Sequence, residues 1–540
     1  MSLRRRATNG VRDRIACLFP TFIFLANVLT ATAQTAVTTH HNDNYRTGWN
    51  STESILTPAN VNPAQFGLLS TTALDDEVDA QPLIVPGVTI TAGKNQGLHD
   101  VAYVVTANDT VYAIDANSGT VLLSQSMGKP VGMPLGCNNN GPHVGINSTP
   151  VIDPVSKTLY LIAYTHDSTG PAHRVHALDL GNLTDKVAPQ LITASHTLTD
   201  GTSFVFNATY QRQRAGLLLL NGNIYAGFGS FCDFGAGSSR GWLLGWNATS
   251  LSPLSANRLF DTQATSPDSF FLSSIWMSGV GLAADDNGNI LFVTGNSDYS
   301  GTTYDGVNNI QESVVKVSPD LTTVLDLFTP SNQASLDQGD TDFGSGGVMI
   351  LPDQAGSVPH LAVAAGKFGT MFLMNEDNLG GYSPTKDHVL AEYNIGPCWC
   401  GESYFVDPAD GAARVVSSGS NWVGVWKLQT SPSPKLMGFA RSGPLNTGQN
   451  AGFFTSVSSN GNSNAIVWAL SRPVSPTNVI GLYAFNPDSG RNMKPLFRSN
   501  AGNWPFVEGD SNQIPVVANG KVYVASYKGL QIFGLKPKKK

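Results

Sequence analysis

The chain has few side chains of strong intrinsic reactivity. Its five cysteines are Cys17, Cys137, Cys232, Cys398 and Cys400. Cys17 falls in a basic, apolar leader, which leaves four in the rest of the chain. An even number in an exported protein points to disulfides. Cys398-Trp399-Cys400 reads either as a strained local bridge or as a reactive dithiol, and a metal would need more ligands than Cys-x-Cys supplies. There is no Cys-x-x-Cys-His, so no attached c-type haem is expected. The pair His40-His41 invites a metal, but no further ligands cluster nearby in sequence, and packing of an N-terminal arm is the expectation. Neither a Ser-His-Asp signature nor a phosphate loop is present.

The elements that would carry these residues are read from a repeat. His99–Gln125 runs HDVAYVVTANDTVYAIDANSGTVLLSQ. Three short β-branched and aromatic runs are separated by Asn108-Asp109 and by Asp115–Gly119, the pattern of antiparallel strands in a meander. The first two runs recur as pairs. The first members are TLYLIAY, NIYAGFG, NILFVTG, HLAVAAG, ARVVSSG, AIVWALS and KVYVASY. Eight pairs result, with first members centred on Tyr103, Tyr160, Tyr225, Phe292, Ala362, Val415, Val467 and Tyr523, and spacings of 52 to 70 residues. An all-strand repeat of that length predicts an all-β, eight-bladed β-propeller of four-stranded antiparallel blades.

Composition agrees. Gly 55, Pro 31 and only 13% charged residues fit a turn-rich all-β chain, and 41% hydrophobic residues suffice for a large core. Residues 1–33 differ: five arginines precede the apolar run Ile15–Leu29, and Ala31-Thr32-Ala33 gives a cleavage site. This predicts a secretory signal peptide, with a periplasmic or extracellular mature protein and no stable membrane span. Losing that leader takes the formal charge from −7 to −11, which argues against a nucleic-acid partner. Residues 34–65 are expected to form an arm, 66–535 the propeller and 536–540 a basic, solvated tail. Because the last repeat ends at Leu535 with no strand after it, Phe66–Leu74 is predicted to close the ring as the outer strand of the last blade. The later blades are expected to start near Asn147, Arg214, Trp276, Gly346, Glu402, Phe454 and Gln513. The longer insertions lie at 126–147, 181–213, 296–311, 328–345 and 377–402. Asn50, Asn147, Asn182, Asn207 and Asn247 open N-x-Ser/Thr triplets.

The repeat YVVTANDTVYAIDANSG resembles that of pyrroloquinoline-quinone (PQQ) proteins, whose quinoprotein alcohol dehydrogenases are eight-bladed propellers. Ala113, Asp115 and Gly119 fit the family's docking motif, with Leu123 where a Trp is usual. Four further segments carry the likeness. Cys232-Asp233-Phe234-Gly235 ahead of Arg240-Gly241-Trp242 resembles the family's Glu-Phe-Gly and Arg-Gly, with Asp233 in place of a calcium-binding Glu. Ile275-Trp276 followed by Val293-Thr294-Gly295-Asn296 resembles the tryptophan beneath the quinone and a strand ending in a calcium ligand. Asp342-Phe343-Gly344 stands where the family has its catalytic Asp. Lys367-Phe368-Gly369 resembles the segment that contacts the quinone.

The resemblance thus implies PQQ and calcium as cofactors. It implies Asp342 as catalytic base, Trp276 and Lys367 as cofactor contacts, and Asp233 and Asn296 as metal ligands. Cys137 lies in the loop that carries two adjacent, bridged cysteines in the family, so it too is expected at the cofactor, here paired with Cys232. The chemistry is coherent: a flat ring needs an aromatic floor, a hard cation needs oxygen donors, and an alcohol needs a base. Taken one at a time, these residues also fit bland roles: core packing for Trp276, turn chemistry for Asp233 and Asn296, a solvated turn for Lys367. The implied function is an exported quinoprotein dehydrogenase-like oxidoreductase acting on an alcohol or sugar. The alternative is a non-catalytic propeller that binds a protein or polysaccharide of the cell envelope. A single cysteine at position 137 and the degenerate docking motif favour that alternative.

Overall fold

The computed structural model describes residues 34–133, 141–233, 236–265, 271–297, 304–448, 450–505 and 511–538. The predicted leader and Cys137 lie outside them. The chain forms eight antiparallel four-stranded blades arranged as a propeller ring. Blade 1 shows the pattern: Leu83–Ile90, Gly97–Val105, Thr110–Asp115 and Val121–Ser126 pair in sequence order. Its turns use the chemistry read in the sequence. Asp115 Oδ1 accepts from the backbone N–H of Ser118 at 2.8 Å, and Gly119 takes a left-handed φ of 77°.

The inner strands of the next seven blades begin at Val151, Leu218, Ala283, Val348, Ser403, Thr455 and Val516. Six of them lie within four residues after the expected starts, and that of blade 4 lies seven residues after Trp276. Phe66–Ala73 pairs antiparallel with Gly529–Leu535, with Phe66 opposite Leu535. The first strand of the propeller therefore supplies the outer strand of blade 8 and covers what would be an open edge.

The core is distributed around the ring. Each apolar layer lies between the faces of neighbouring blades: one joins blades 1 and 2, another blades 2 and 3, and others blades 7 and 8 and blades 8 and 1. Such layers require strands apolar on both faces, which explains the unbroken hydrophobic runs such as Leu361–Ala365. Among the described residues the one α-helix is Gln333–Gln338.

Residues 34–65 pack into this ring. Trp49–Asn50 adds a parallel strand to blade 7, and Val37 bridges Ile84 of blade 1. His41 is buried, its Nδ1 2.8 Å from the carbonyl of Arg46 and its Nε2 2.7 Å from that of Thr455. Burial pushes its pKa down. The arm therefore uses this histidine as packing and hydrogen bonding. Arg46, buried beside it, donates through Nε to Leu282 O at 2.8 Å and through Nη1 to His40 O at 2.8 Å.

Candidate active site

In an up-and-down blade, the entry to the inner strand and the turn between the second and third strands lie at the same end. The sequence places its polar residues in these two kinds of segment. Trp276 and Asp342 precede the inner strands of blades 4 and 5. Asp233, Asn296 and Lys367 follow the second strands of blades 3, 4 and 5. Backbone hydrogen bonds tie each entry to its turn: Gly295 N donates to Ser274 O at 2.9 Å in blade 4, and Lys367 N to Asp342 O at 3.1 Å in blade 5.

The result is a cavity of about 390 Å³ whose lining includes all five residues. Close approach of the chain makes this possible. A Cβ on Gly344 would lie 2.5 Å from the backbone N of Gly295, and one on Gly295 would lie 3.0 Å from Trp276 Nε1. The two glycines let the Asp342 segment press against the Asn296 turn.

Lys367 is the electrostatic hub. Its Nζ lies 3.0 Å from Asp342 Oδ2 and 3.0 Å from Asp340 Oδ1, and it donates to the Asp340 carbonyl at 3.2 Å. The same nitrogen sits 5.6 Å from the ring centroids of both Trp276 and Trp399. Its pKa is driven up by the charges of Asp342 and Asp340, which outweigh burial. Asp342, 4% exposed, has its pKa raised by burial and then by Asp340, while Lys367 opposes the rise. Its Oδ1 accepts from Asn296 N at 3.3 Å. Asn296 Nδ2 reaches Asp340 Oδ1 at 3.4 Å.

Asp233 sits in left-handed backbone, φ 56°, directly after Cys232 at φ 43°. Burial pushes its carboxyl up to about 7, helped by the negative charges of Asp342 and Asp340. Behind the cavity wall Glu312 is buried, accepts from Phe343 N, and leaves its Oε1 without a partner. Burial and then Asp342 raise its pKa as well. Cys232 is disulfide-bonded. The expectation that it pairs with Cys137, and that Cys137 meets the cofactor, falls outside the described residues. Cys398 and Cys400 are bonded to each other, which resolves the Cys-x-Cys segment as a local bridge and leaves Trp399 between them in the cavity wall.

Sequence reasoning missed several lining residues: Arg212, Arg214, Asp340, Trp399 and Asn450. The Arg214 guanidinium carbon lies 5.6 Å from the Trp276 ring centroid. Gln211-Arg212-Gln213 forms a buried strand pairing with Phe228–Ser230. Four polar residues in a row, Gln211-Arg212-Gln213-Arg214, inside a propeller were the available signal, since buried arginines are rare unless partnered.

No family model matches the sequence, and no curated protein does. The fold, however, matches solved structures along nearly its whole length. A quinohemoprotein alcohol dehydrogenase from Comamonas testosteroni is similar at TM-score 0.58 and 15% identity, over 95% of this chain and 82% of that one. The quinohemoprotein alcohol dehydrogenase ADHIIG from Pseudomonas putida HK5 is similar at TM-score 0.62 and 13% identity, over 94% and 81%. A europium-containing methanol dehydrogenase follows at TM-score 0.57 and 12% identity, over 93% and 98%. The fold is one shared with quinoprotein dehydrogenases. At these identities the likeness concerns architecture, and function must be argued from the cavity.

The lining bears on the two groups that the sequence resemblance implies, calcium and PQQ. Asp233, Asp340, Asp342 and the amide of Asn296 all line the cavity and offer oxygen, the donor type that a hard cation such as calcium takes, although the three carboxylates do not bring their oxygens within 4.8 Å of one another and Lys367 already pairs with Asp340 and Asp342. Burial first, and then the charges of Asp342 and Asp340, raise Asp233, and a divalent cation beside it would oppose that rise. Trp276 offers an aromatic face, while Arg212, Arg214 and Lys367 supply the cations that a flat polycarboxylate such as PQQ requires.

Proposed function

We propose that this protein is an oxidoreductase of the quinoprotein dehydrogenase type, oxidising an alcohol or sugar hydroxyl with PQQ and calcium in the central cavity. One observation carries the reading. An aromatic floor, a lysine, and a group of oxygen donors that includes a buried carboxylate share one cavity of about 390 Å³.

PQQ, when bound, would supply the two-electron acceptor. The remaining work falls to side chains of this chain. Trp276 would stack under the planar ring. Asp233 and Asn296 would hold the cation. Asp342 would accept the proton of the substrate hydroxyl, for which it must be ionised. Lys367 serves that state: at 3.0 Å it stabilises the Asp342 carboxylate against the burial that would otherwise keep it protonated. The same ammonium is placed to stabilise negative charge arising in the cavity during the reaction. Trp399 lines the cavity beside Lys367, with its ring centroid 5.6 Å from the ammonium.

The test is a titration of the purified protein with PQQ, with and without calcium, read by tryptophan fluorescence and cofactor absorbance. Saturable binding that requires calcium, and that Trp276→Ala weakens by roughly tenfold or more, is the expected result. No binding at tens of micromolar cofactor would overturn the proposal.

A further inference from the structure

A second pocket, sharing no residue with the central cavity, lies on blade 6. It measures about 300 Å³ and is lined by Trp422, Trp426, Gly438, Phe439, Arg441 and Arg491, among others. The strands Gly424–Gln429 and Lys435–Ser442 form its base. From its aromatic and cationic lining we propose that this pocket binds a hexuronate unit of an acidic polysaccharide.

The hollow is built into the sheet. Gly438 stands directly opposite Trp426 in the strand pairing. A Cβ placed there would meet only Trp426 Cζ3, at 4.0 Å, so the space above the strand is open. Trp426 Nε1 already donates to Ser417 Oγ at 2.8 Å, and its ring packs against Tyr393 with centroids 5.4 Å apart. The indole is thus fixed, and what it offers a ligand is ring surface rather than a donor. An aromatic face of this kind suits the C–H face of a pyranose ring.

Charge narrows the ligand further. The Arg441 guanidinium stacks on Trp422, 3.7 Å from its ring centroid. Arg441 N donates to Arg491 O at 2.9 Å, and the parallel pairing of Arg441 with Asn492 sets the two arginines side by side. Both are exposed, and among the described residues neither guanidinium meets a carboxylate. In a chain of net negative charge, two unpaired arginines beside an aromatic hollow are an anion-recognising arrangement. Guanidinium groups bind carboxylates through paired donors, and stacking pre-orients the fork of Arg441. A sugar carrying a ring carboxylate satisfies both halves of the pocket at once. The proposal is independent of any chemistry in the central cavity.

Isothermal calorimetry of the full chain with trigalacturonate, against galactotriose as the neutral counterpart, tests it. Trigalacturonate should bind saturably, and galactotriose roughly tenfold or more weakly. Arg441→Gln should weaken trigalacturonate binding by a similar factor. Gly438→Val should abolish it, because the valine side chain fills the hollow on an exposed strand with no close neighbour to displace. Thermal melts of both variants confirm the fold. Equal affinity for galactotriose, uronate binding unchanged in Gly438→Val, or no uronate heat at about 10 mM ligand would each overturn the proposal.

Discussion

Asp342 is held between burial, which favours its protonated form, and Lys367, which favours its charge. Replacing it with asparagine keeps the shape and removes the base. Lys367 keeps a partner in Asp340, so the cavity wall retains an ion pair. Asp342→Asn is expected to lower quinone-dependent dye reduction by roughly 10²–10⁴-fold, the usual contribution of a positioned base, with its melting temperature little changed. Wild-type turnover in the variant would remove Asp342 from the role. At this scale the sequence carried a good deal. Asp233, Trp276, Asn296, Asp342 and Lys367, named through the family resemblance of their segments, line one cavity. Arg212, Arg214 and Trp399 were not legible as lining residues. Arg212 and Arg214 come from the polar segment ahead of the inner strand of blade 3 and Trp399 from an insertion before blade 6, and a polar run signals burial with partners without saying which cavity those side chains enter. Glu312 was equally hidden, because a buried carboxylate is defined by its surroundings and not by its neighbours in sequence.

The eight blades were legible for a different reason. Each blade is a local meander, so its strands and turns are encoded within some 50–70 residues of chain. Closure of the ring is non-local, yet it too could be argued, because the last repeat lacks an outer strand and one unassigned strand precedes the first. Short accessory strands were not legible: Trp49–Asn50, Gly381–Tyr382 and Asn492–Met493 each pair in parallel over two residues, too few for any periodicity. The closing strand has an anchor whose loss can be measured. Phe66 is fully buried and packs edge-on against Phe497, with ring centroids 4.9 Å apart, and near Trp468 at 5.6 Å. Phe66→Ala should destabilise the protein by about 3–5 kcal/mol and lower the urea midpoint. It acts on a strand that holds the last blade shut, so the N-terminal segment should also become the first site of limited proteolysis. An unchanged midpoint would mean that the ring does not depend on this closure.

For the molecule as a whole, several carboxyl groups are buried where their charge is poorly compensated. Burial pushes Glu402 up to about 8, and its Oε1 lacks a hydrogen-bond partner. Burial likewise pushes Asp261 up to about 7, against the opposing charge of Arg240. In the unfolded chain such groups titrate near pH 4. Between about pH 4 and pH 8 the folded protein therefore retains protons that the unfolded chain has released. Stability contributed by the protonated form is present below the unfolded pKa and is lost as the pH rises through the folded one. Carboxyls with lowered pKa, such as Asp115 beside His99, lose their contribution only at more acidic pH and do not offset this trend. Buried histidines with lowered pKa, His41 and His173 among them, act in the opposite sense below about pH 6.5, so the melting temperature should fall as the pH rises from about 7 to 8. Glu402→Gln should flatten that slope, since glutamine occupies the same space and has no proton to lose. Glu402 stands two residues beyond the Cys398–Cys400 bridge that carries Trp399. If its charge also disturbs that segment, the intrinsic tryptophan fluorescence of the wild-type protein should change over the same pH range, and that of Glu402→Gln should not. A melting temperature that rises from about pH 7 to 8 would show that Glu402 and Asp261 are ionised and compensated in the folded state.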